Sequence, residues 1–448
     1  MLKLFLWLKY LRKRRIILLS IAAVAMSVSL LIVVASLFTG FIAAFEQSAV
    51  EMLGDVMMAA PQDKKFEKYP ALIERLEQSE VVETASAALS SEGLLHLGRG
   101  NVRPVSVWGI QPDRRARVTG FKKTLMLQSQ AQGDPSLAVP DAPDEIGGFV
   151  GIGVVGRPDE ETDEYDQQAI LKEAIGEQLH VITGTADSAA GPDQVPKRRT
   201  ISFRVVDLVY SGVHELDSGF VYLPIEALQK ELYPGQQGDL ATKINIRLKP
   251  GVDPYAAVLK IQELWSDFAS RELGWKTLDI IDTRVETAQQ LQSQYVAEIK
   301  KQMGVLLLIF GVVSFSVVVL VFCIFYMMVK LKQRDVAVIK SCGAASSSVV
   351  SLFLGFGVSV GVAGSGIGAM LGYVITRNIN VVEGWIRILF GLKLWKSSVY
   401  MFDKIPNQVD WAGAMPIVGL AILAAALGAL IPAIVAARTR PVEVLRYE

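Results

Sequence analysis

The side chains best suited to chemistry are few and scattered in this sequence. Three histidines, His96, His180 and His214, and two cysteines, Cys323 and Cys342, are far apart along the chain. A zinc site needs three or four such ligands to converge, and nothing in this spacing suggests one. The histidines therefore read as surface or packing residues. No H-E-x-x-H, C-x-x-C or G-x-S-x-G occurs, and no G-x-x-x-x-G-K-[ST] that would cradle a nucleotide phosphate. Two patterns remain. From Lys332 to Ala344 a basic, amphipathic run places Val336, Ile339 and Lys340 on one helical face, with Gly343 able to end the helix. It reads as a docking element for another protein or as a surface anchor with no partner. Further on, Gly357, Gly361, Gly364, Gly368 and Gly372 recur at three- and four-residue spacing. That puts small residues on one helix face, where another backbone can approach closely. Packing is the reading we take, with direct substrate contact as the alternative.

The elements that must carry these patterns are membrane helices. The chain has 448 residues, of which 51% are apolar and only 20% charged, against roughly 25% charged in ordinary globular domains. Its mean hydropathy is +0.36. This composition excludes a disordered or fibrous chain and a disulfide scaffold, and a nucleic-acid binder would need a basic excess. Four stretches contain no Asp, Glu, Lys or Arg: Ile16–Phe45, Gln302–Val329, Ser341–Thr376 and Trp411–Ala437. Each exceeds the roughly 20 residues a bilayer-spanning helix requires, whereas soluble helices average about 11–12. The first is too long for a signal-peptide core, and Ala43-Ala44-Phe45 makes a poor cleavage site, so it reads as a retained span. Within the spans no Asp, Glu, Lys, Arg or His exists to relay a proton or ion, which weighs against a secondary transporter.

Charge orients the spans. Residues 1–15, the segment after span two and the C-terminal tail together hold 13 basic and three acidic residues. By the positive-inside rule all three are cytoplasmic, as are both termini. The chain as a whole has 45 of each sign, so the external side carries a matching acidic excess. The expected organisation is a cytoplasmic interfacial helix at 1–15 (or an extension of span one), transmembrane helix 1 at 16–44, and an extracytoplasmic α+β domain at 45–282. A stalk helix at 283–302 follows, then transmembrane helix 2 at 303–329, the cytoplasmic segment 330–346, helix 3 at 347–376, an external loop at 377–410, helix 4 at 411–437 and a tail at 438–448. Inside the large domain, periodicity predicts a helix over Phe66–Gln78 and strands over Val102–Ile110, Thr200–Tyr210, Gly219–Leu223 and Lys243–Leu248. A helix over Tyr255–Leu273 and a strand over Thr277–Ile281 should follow. The stretch from about Gln128 to Arg199, rich in Gly, Pro, Asp and Gln, reads as an exposed insertion or a loosely ordered subdomain. Thr283-Arg284-Val285-Glu286 has the form of a capping box, from which one unbroken helix can run into span two. Such a rod can carry motion across the bilayer or serve as a passive tether. A membrane protein of this form without an energy source of its own draws energy from a partner.

Arg334-Asp335-Val336-Ala337-Val338-Ile339-Lys340-Ser341-Cys342-Gly343-Ala344 resembles the R-[ED]-[IV]-A-[IV]-[LM]-[RK]-[ST]-x-G-A coupling segment of FtsX-like ABC transporter permeases. The terminus from Pro432 to Glu448 is similar to that family's P-A-x-x-A-A-[RK]-x-x-P-[VA]-E-[VA]-L-R ending, and the order of spans matches. Phe203–Ser218 and Leu389–Pro406 are similar to segments of the lipoprotein-releasing (LolC/LolE-type) branch. The sequence departs from the pattern at Cys342, where an aliphatic residue is usual, at Ser346–Ser348, where basic residues often follow, and over residues 125–200. The resemblance implies a non-enzymatic permease subunit of the bacterial inner membrane that binds no cofactor itself. ATP would be held by a cytoplasmic ABC ATPase docked on Arg334, Asp335, Val336, Ala337, Ile339, Lys340, Gly343 and Ala344. It further implies a second permease half, identical or related, and a lipoprotein or other amphiphilic cargo in contact with membrane lipid. Export in the macrolide-exporter style and regulation of cell-wall hydrolases are the alternatives within the same superfamily.

Overall fold

The four charge-free stretches are helical in the structure, a computed structural model, the third of them only from Ser346 after a turn at Cys342–Ala345. The structure describes residues 15–438 apart from 63, 99, 160–161, 186–196, 235–237, 392, 394, 397–401 and 403. The expected interfacial helix and most of the tail lie outside the described residues. The chain divides into two compact units: Met1–Ala43, Val296–Trp385 and Ile405–Glu448 form one, and Ala44–Tyr295 with Ile386–Lys404 the other.

Helix α1 (Arg15–Leu53) continues beyond the expected end of span one, and Gly54, at φ +82°, stops it. The second unit follows with β1 (Val56–Ala59), β2 (Phe66–Glu67), α2 (Tyr69–Glu77), β3 (Val82–His96), β4 (Val102–Ile110), α3 (Pro112–Val118), β5 (Gly147–Gly151), β6 (Gln178–Thr185), β7 (Lys197–Val209), β8 (Phe220–Pro224), α4 (Ile225–Leu232), β9 (Leu240–Ala241), β10 (Lys243–Leu248), α5 (Pro254–Glu272) and β11 (Arg284–Thr287). Nine strands form one mixed sheet in the order β11-β1-β10-β3-β4-β8-β5-β7-β6. One edge of the long strand β3 pairs first with β10, from Val82 to Ala88, and then with β6, from Gly93 to His96. The second pairing closes β3, β4, β8, β5, β7 and β6 into a ring. Gly93 stands at the closure, where an added Cβ would lie 3.0 Å from the Ile182 carbonyl oxygen. Alternation fills the interior with Val107, Val150, Val181, Phe203, Val205, Val221 and Leu223, all buried. Helices α2 and α5 cover the open part of the sheet. There Trp265 packs edge-on to Phe66 and Trp275, with ring centroids 5.0 and 5.1 Å apart.

Strands β4 and β10 fall where alternation predicts them. Three expectations change. The Gln128–Arg199 stretch supplies β5, all five of whose residues are buried, and β6, so it is part of the sheet and not an exposed insertion. The expected strand at Thr277–Ile281 is a helical turn, and the edge strand of the sheet is β11 instead. Phe66 belongs to β2, and helix α2 begins only at Tyr69, with Pro70 in its first turn.

Helix α6 (Ala288–Leu331) is a single element of 44 residues, about 66 Å at 1.5 Å per residue. The membrane unit continues with α7 (Gln333–Ser341), α8 (Ser346–Arg377), the start of α9 (Ile379–Phe390) and α10 (Trp411–Arg438). Its core holds Val24, Val28, Ile32, Val321, Phe325, Phe353, Phe356 and the small residues Ala429, Ala433 and Ala436. Many apolar side chains elsewhere on these helices are exposed, such as Leu308, Phe315, Met370 and Leu420. In water this would be an aggregation liability, whereas in lipid it is the expected outer surface.

Candidate functional site

Residues predicted for partner docking sit on α7 and the turn after it. Val336 and Ala337 are buried against the bundle, so they hold the segment and offer no contact surface. Arg334, Val338 and Ile339 face outward. Val338 lies outside the Val336–Ile339–Lys340 face chosen from sequence, yet it is more exposed than Ile339. Asp335 pairs with Lys332 one turn earlier. Lys340 Nζ donates to the Ala437 carbonyl oxygen at 2.7 Å, and Ser346 Oγ to the same oxygen at 3.3 Å. Both sides of the turn between α7 and α8 are thus fastened to the last turn of α10, where a cation also meets the negative end of the helix dipole. Gly343 has φ +93°, and its N–H closes the helix end by bonding the Lys340 carbonyl at 3.0 Å. Ala344 follows, half-buried.

The glycine ladder of α8 serves two partners. Ideal Cβ atoms show where the space is missing. On Gly361 a Cβ would lie 3.0 Å from the Ile422 Cα of α10, and Gly357 lies against Ala425 and Ala429 of the same helix. On Gly364, Gly368 and Gly372 it would lie 2.8 Å from Val24, 2.7 Å from the Ala25 carbonyl and 3.1 Å from Ile32, all on α1. One small-residue stripe therefore seats α8 between two helices, a role that helical periodicity could not divide.

A cavity of about 510 Å³ opens between α1, α6 and α10, lined by Val24, Val28, Leu307, Phe315, Ile417 and Leu420 among others. Its walls are apolar apart from Ser27 and Ser314, whose hydroxyls hydrogen-bond across it at 2.8 Å. An apolar enclosure of this size suits hydrocarbon better than a hydrated solute.

Within the second unit, the end of α1 and the start of α6 are joined. The last four carbonyls of a helix lack intrahelical partners, and here each finds one. Val50 accepts from Gly54 N–H at 3.0 Å, Glu51 from Gly120 N–H at 2.6 Å, Met52 from Arg115 Nη2 at 3.1 Å and Leu53 from Asn245 Nδ2 at 2.7 Å. Asp55 then bonds both neighbours: its N–H reaches the Ile246 carbonyl at 2.9 Å, and its own carbonyl accepts from Ala288 N–H at 3.0 Å. Strands β1 and β11 pair along their length, from Val56 opposite Thr287 to Ala59 opposite Arg284. Just beyond, Phe45 and Tyr295 meet with ring centroids 4.6 Å apart. The capping box that starts α6 is real but displaced. Thr287 N–H bonds Gln290 Oε1 at 2.8 Å, and Gln290 N–H bonds Thr287 Oγ1 at 3.0 Å. Thr283, the residue chosen from sequence, instead bonds the Asp279 carbonyl. Arg115, Asn245 and Asp55 were not singled out from sequence, because nothing local marks a residue as the cap of a distant helix.

The segment Phe203–Ser218 is the second half of β7 and the turn that follows it. Asp217 is buried and its carboxylate accepts from Ser211 N–H and Oγ at 2.7 Å and from Gly212 N–H at 2.9 Å. Asp207 is buried as well and binds the backbone N–H groups of Leu127, Gln128 and Leu208 at 3.0, 2.8 and 2.7 Å. Burial raises its pKa, and those amides only partly oppose the rise. His96 and His180, scattered in sequence, face each other across β3 and β6. His180 Nδ1 bonds Ser202 Oγ at 2.8 Å, and His96 Nδ1 accepts from Gly98 N–H. Among the described residues no three His, Cys, Asp or Glu side chains cluster to hold a metal ion.

The chain matches two domain families: the MacB-like periplasmic core domain over residues 17–264 and the FtsX-like permease C-terminal domain over 307–441. Among curated proteins it is 26% identical to the lipoprotein-releasing system transmembrane protein LolC of Neisseria meningitidis serogroup B, over 98% of both chains. It is 23% identical to LolE of Haemophilus influenzae, over 95% of this chain and 93% of that one. In solved structures the periplasmic region of MacB from Actinobacillus actinomycetemcomitans aligns with 55% of this chain and 94% of its own, at 15% identity and a TM-score of 0.31. A membrane-helix bundle ending in the FtsX-like domain and an α+β domain of the MacB-like kind make up one chain, which belongs to the FtsX-like ABC transporter permeases and is most like their lipoprotein-releasing LolC/LolE-type branch.

Proposed function

We propose that this chain is one membrane half of an ABC transporter that lifts lipid-anchored proteins out of the bacterial inner membrane, as the names of its LolC and LolE relatives describe for them. The observation that carries the reading is the similarity to LolC over 98% of both chains. ATP is hydrolysed by a separate cytoplasmic subunit seated on the outward face of α7, at Arg334, Val338 and Ile339. A second permease half, a copy or a relative, completes the pair. Because α7 is tied to α10, and α8 is seated on both α10 and α1, a push on α7 is passed into the bundle. Helices α1 and α6 carry it outward to strands β1 and β11. Force is needed because an acyl chain buries about 0.8 kcal/mol per CH₂, on the order of 10 kcal/mol per chain. The cavity between α1, α6 and α10 gives such a chain an apolar surface on its way.

The test is co-purification. The full chain should bring down a P-loop ATPase, and Gly343→Arg should release it, since φ +93° disfavours any side chain and the arginine projects from the docking surface. Together with that ATPase and the second half, the chain should release radiolabelled lipoprotein from membrane vesicles. Release without any ATPase would sink the reading. The MacB-like domain match favours, as second choice, export of a soluble peptide or drug. Drug efflux with unchanged lipoprotein location would select it.

A further inference from the structure

Arg115 of α3 is only 4% exposed. Its Nη2 and Nη1 reach the Met52 carbonyl at 3.1 Å and Asn245 Oδ1 at 3.4 Å, and the Trp108 ring lies 4.9 Å from its guanidinium carbon. Its Nε, also buried, has no acceptor among the described residues. Burial lowers its pKa, and the group that opposes this is a phenol, Tyr222, not a carboxylate. A second cation, Lys243 Nζ, lies 4.6 Å from the same Trp108 ring. Burial and then the charge of Arg115 hold its pKa down.

A cation buried without an opposite charge is costly by several kcal/mol, and native structures rarely leave a buried donor open. Here the guanidinium lines a cavity of about 180 Å³, with Ser48, Thr119, Lys123, Tyr210 and Ser211 also on its wall. Lys123 is exposed at that wall. Glu51 is the one carboxylate in the lining, and its Oε1 accepts from Gln47 Nε2 at 3.0 Å. The volume equals the share of roughly six water molecules in the liquid, room for a phosphate ester. A guanidinium offers phosphate oxygens a matching fork of donors. Depth along α1 suggests the source. Phe45 is the last residue of the charge-free run, and Ser48 to Met52 follow it. At 1.5 Å per residue they lie roughly 5–10 Å past the apolar stretch, the depth of lipid headgroups.

We propose that this cavity is an anion site which takes the phosphate of a phospholipid headgroup, with Arg115 and Lys123 as its cations. The site stands on its own geometry, whatever cargo the chain moves. The full-length protein in uncharged detergent is titrated with dihexanoyl phosphatidylglycerol, sodium phosphate, dihexanoylglycerol or an oligoglutamate peptide, following the melting midpoint. The phospholipid should raise the midpoint and the phosphate-free dihexanoylglycerol should not. Lys123→Gln should weaken the response about tenfold, the loss of one charge-assisted bond, and Glu51→Gln should strengthen it. Arg115→Gln should abolish it. Should that variant fail to fold for want of its bonds to Met52 and Asn245, the two exposed positions still decide the matter. An equal response to inorganic phosphate keeps the anion site and overturns the headgroup as its source. No response to either phosphate compound, a response to oligoglutamate alone, or one unchanged in Lys123→Gln and Glu51→Gln overturns the proposal.

Discussion

Single residues set how closely the helices approach. Gly368 and Gly366 are near neighbours on α8, yet a Cβ on Gly368 would sit 2.7 Å from the Ala25 carbonyl, while one on Gly366 would meet nothing within 4 Å. Gly368→Leu should therefore force α8 off α1 and cost about 1–3 kcal/mol or more. Gly366→Ala should be neutral or stabilise by roughly 0.5–1 kcal/mol through its backbone entropy. Thermal unfolding of the two variants in detergent separates these outcomes, and equal effects would remove the packing role given to Gly368. Asp207 offers a test by pH. Its folded pKa lies above its unfolded value because it is buried. Folding therefore favours the protonated form, and the cost of the charge is fully present at neutral pH. As pH falls through the folded pKa that cost is relieved. Compared with Asp207→Asn, the unmodified chain should gain stability as pH is lowered from about 7 toward the carboxylate range near 4. Melting midpoints of both proteins across that range measure it, and a widening deficit at low pH would contradict it.

At the scale of elements, the start of α6 is the point where sequence and structure part most usefully. Thr283 and Glu286 have capping-box spacing, and so do Thr287 and Gln290. Only the second pair caps, because residues 284–287 are taken up as β11 against β1. The same competition explains Thr277–Ile281. Its residues are rich in β formers, but it precedes the strand that occupies the sheet edge, and it folds into a turn bonded within itself. Thr287→Ala should cost about 1 kcal/mol by removing the cap. Thr283→Ala should cost less, since its hydroxyl closes only a local turn. Hydrogen exchange over residues 288–295 should rise in the first variant and stay near the original level in the second. The reverse order would restore the capping box read from sequence.

The whole molecule is neutral only by cancellation. The basic excess lies in residues 1–15, the α7 region and the tail, and the acidic excess in the β-rich unit with the loop after α8. The charge bias implies that α7 faces the cytoplasm and the β-rich unit faces away from it. In a chain with Cys323 and Cys342 replaced by Ala, a single cysteine at the exposed position Gln262 should react with a membrane-impermeant maleimide applied to spheroplasts. One at Arg334 should react only after the membrane is opened. The opposite pattern would invert the topology.

By itself the sequence determined the four membrane-length apolar helices, the α+β domain between the first two and the family. Each of these rests on local information: unbroken apolar runs, charge beside them, and motifs of contiguous residues. Tertiary structure decided how the glycines of α8 are divided between α1 and α10, and that a Gly- and Asp-rich stretch yields the buried strand β5. It also decided that Arg115 and Asn245, more than 60 positions beyond the end of α1, close that helix. These are choices among partners distant in the chain. Which partner wins depends on the burial and hydrogen bonding of both sides at once, and no window along one segment contains both.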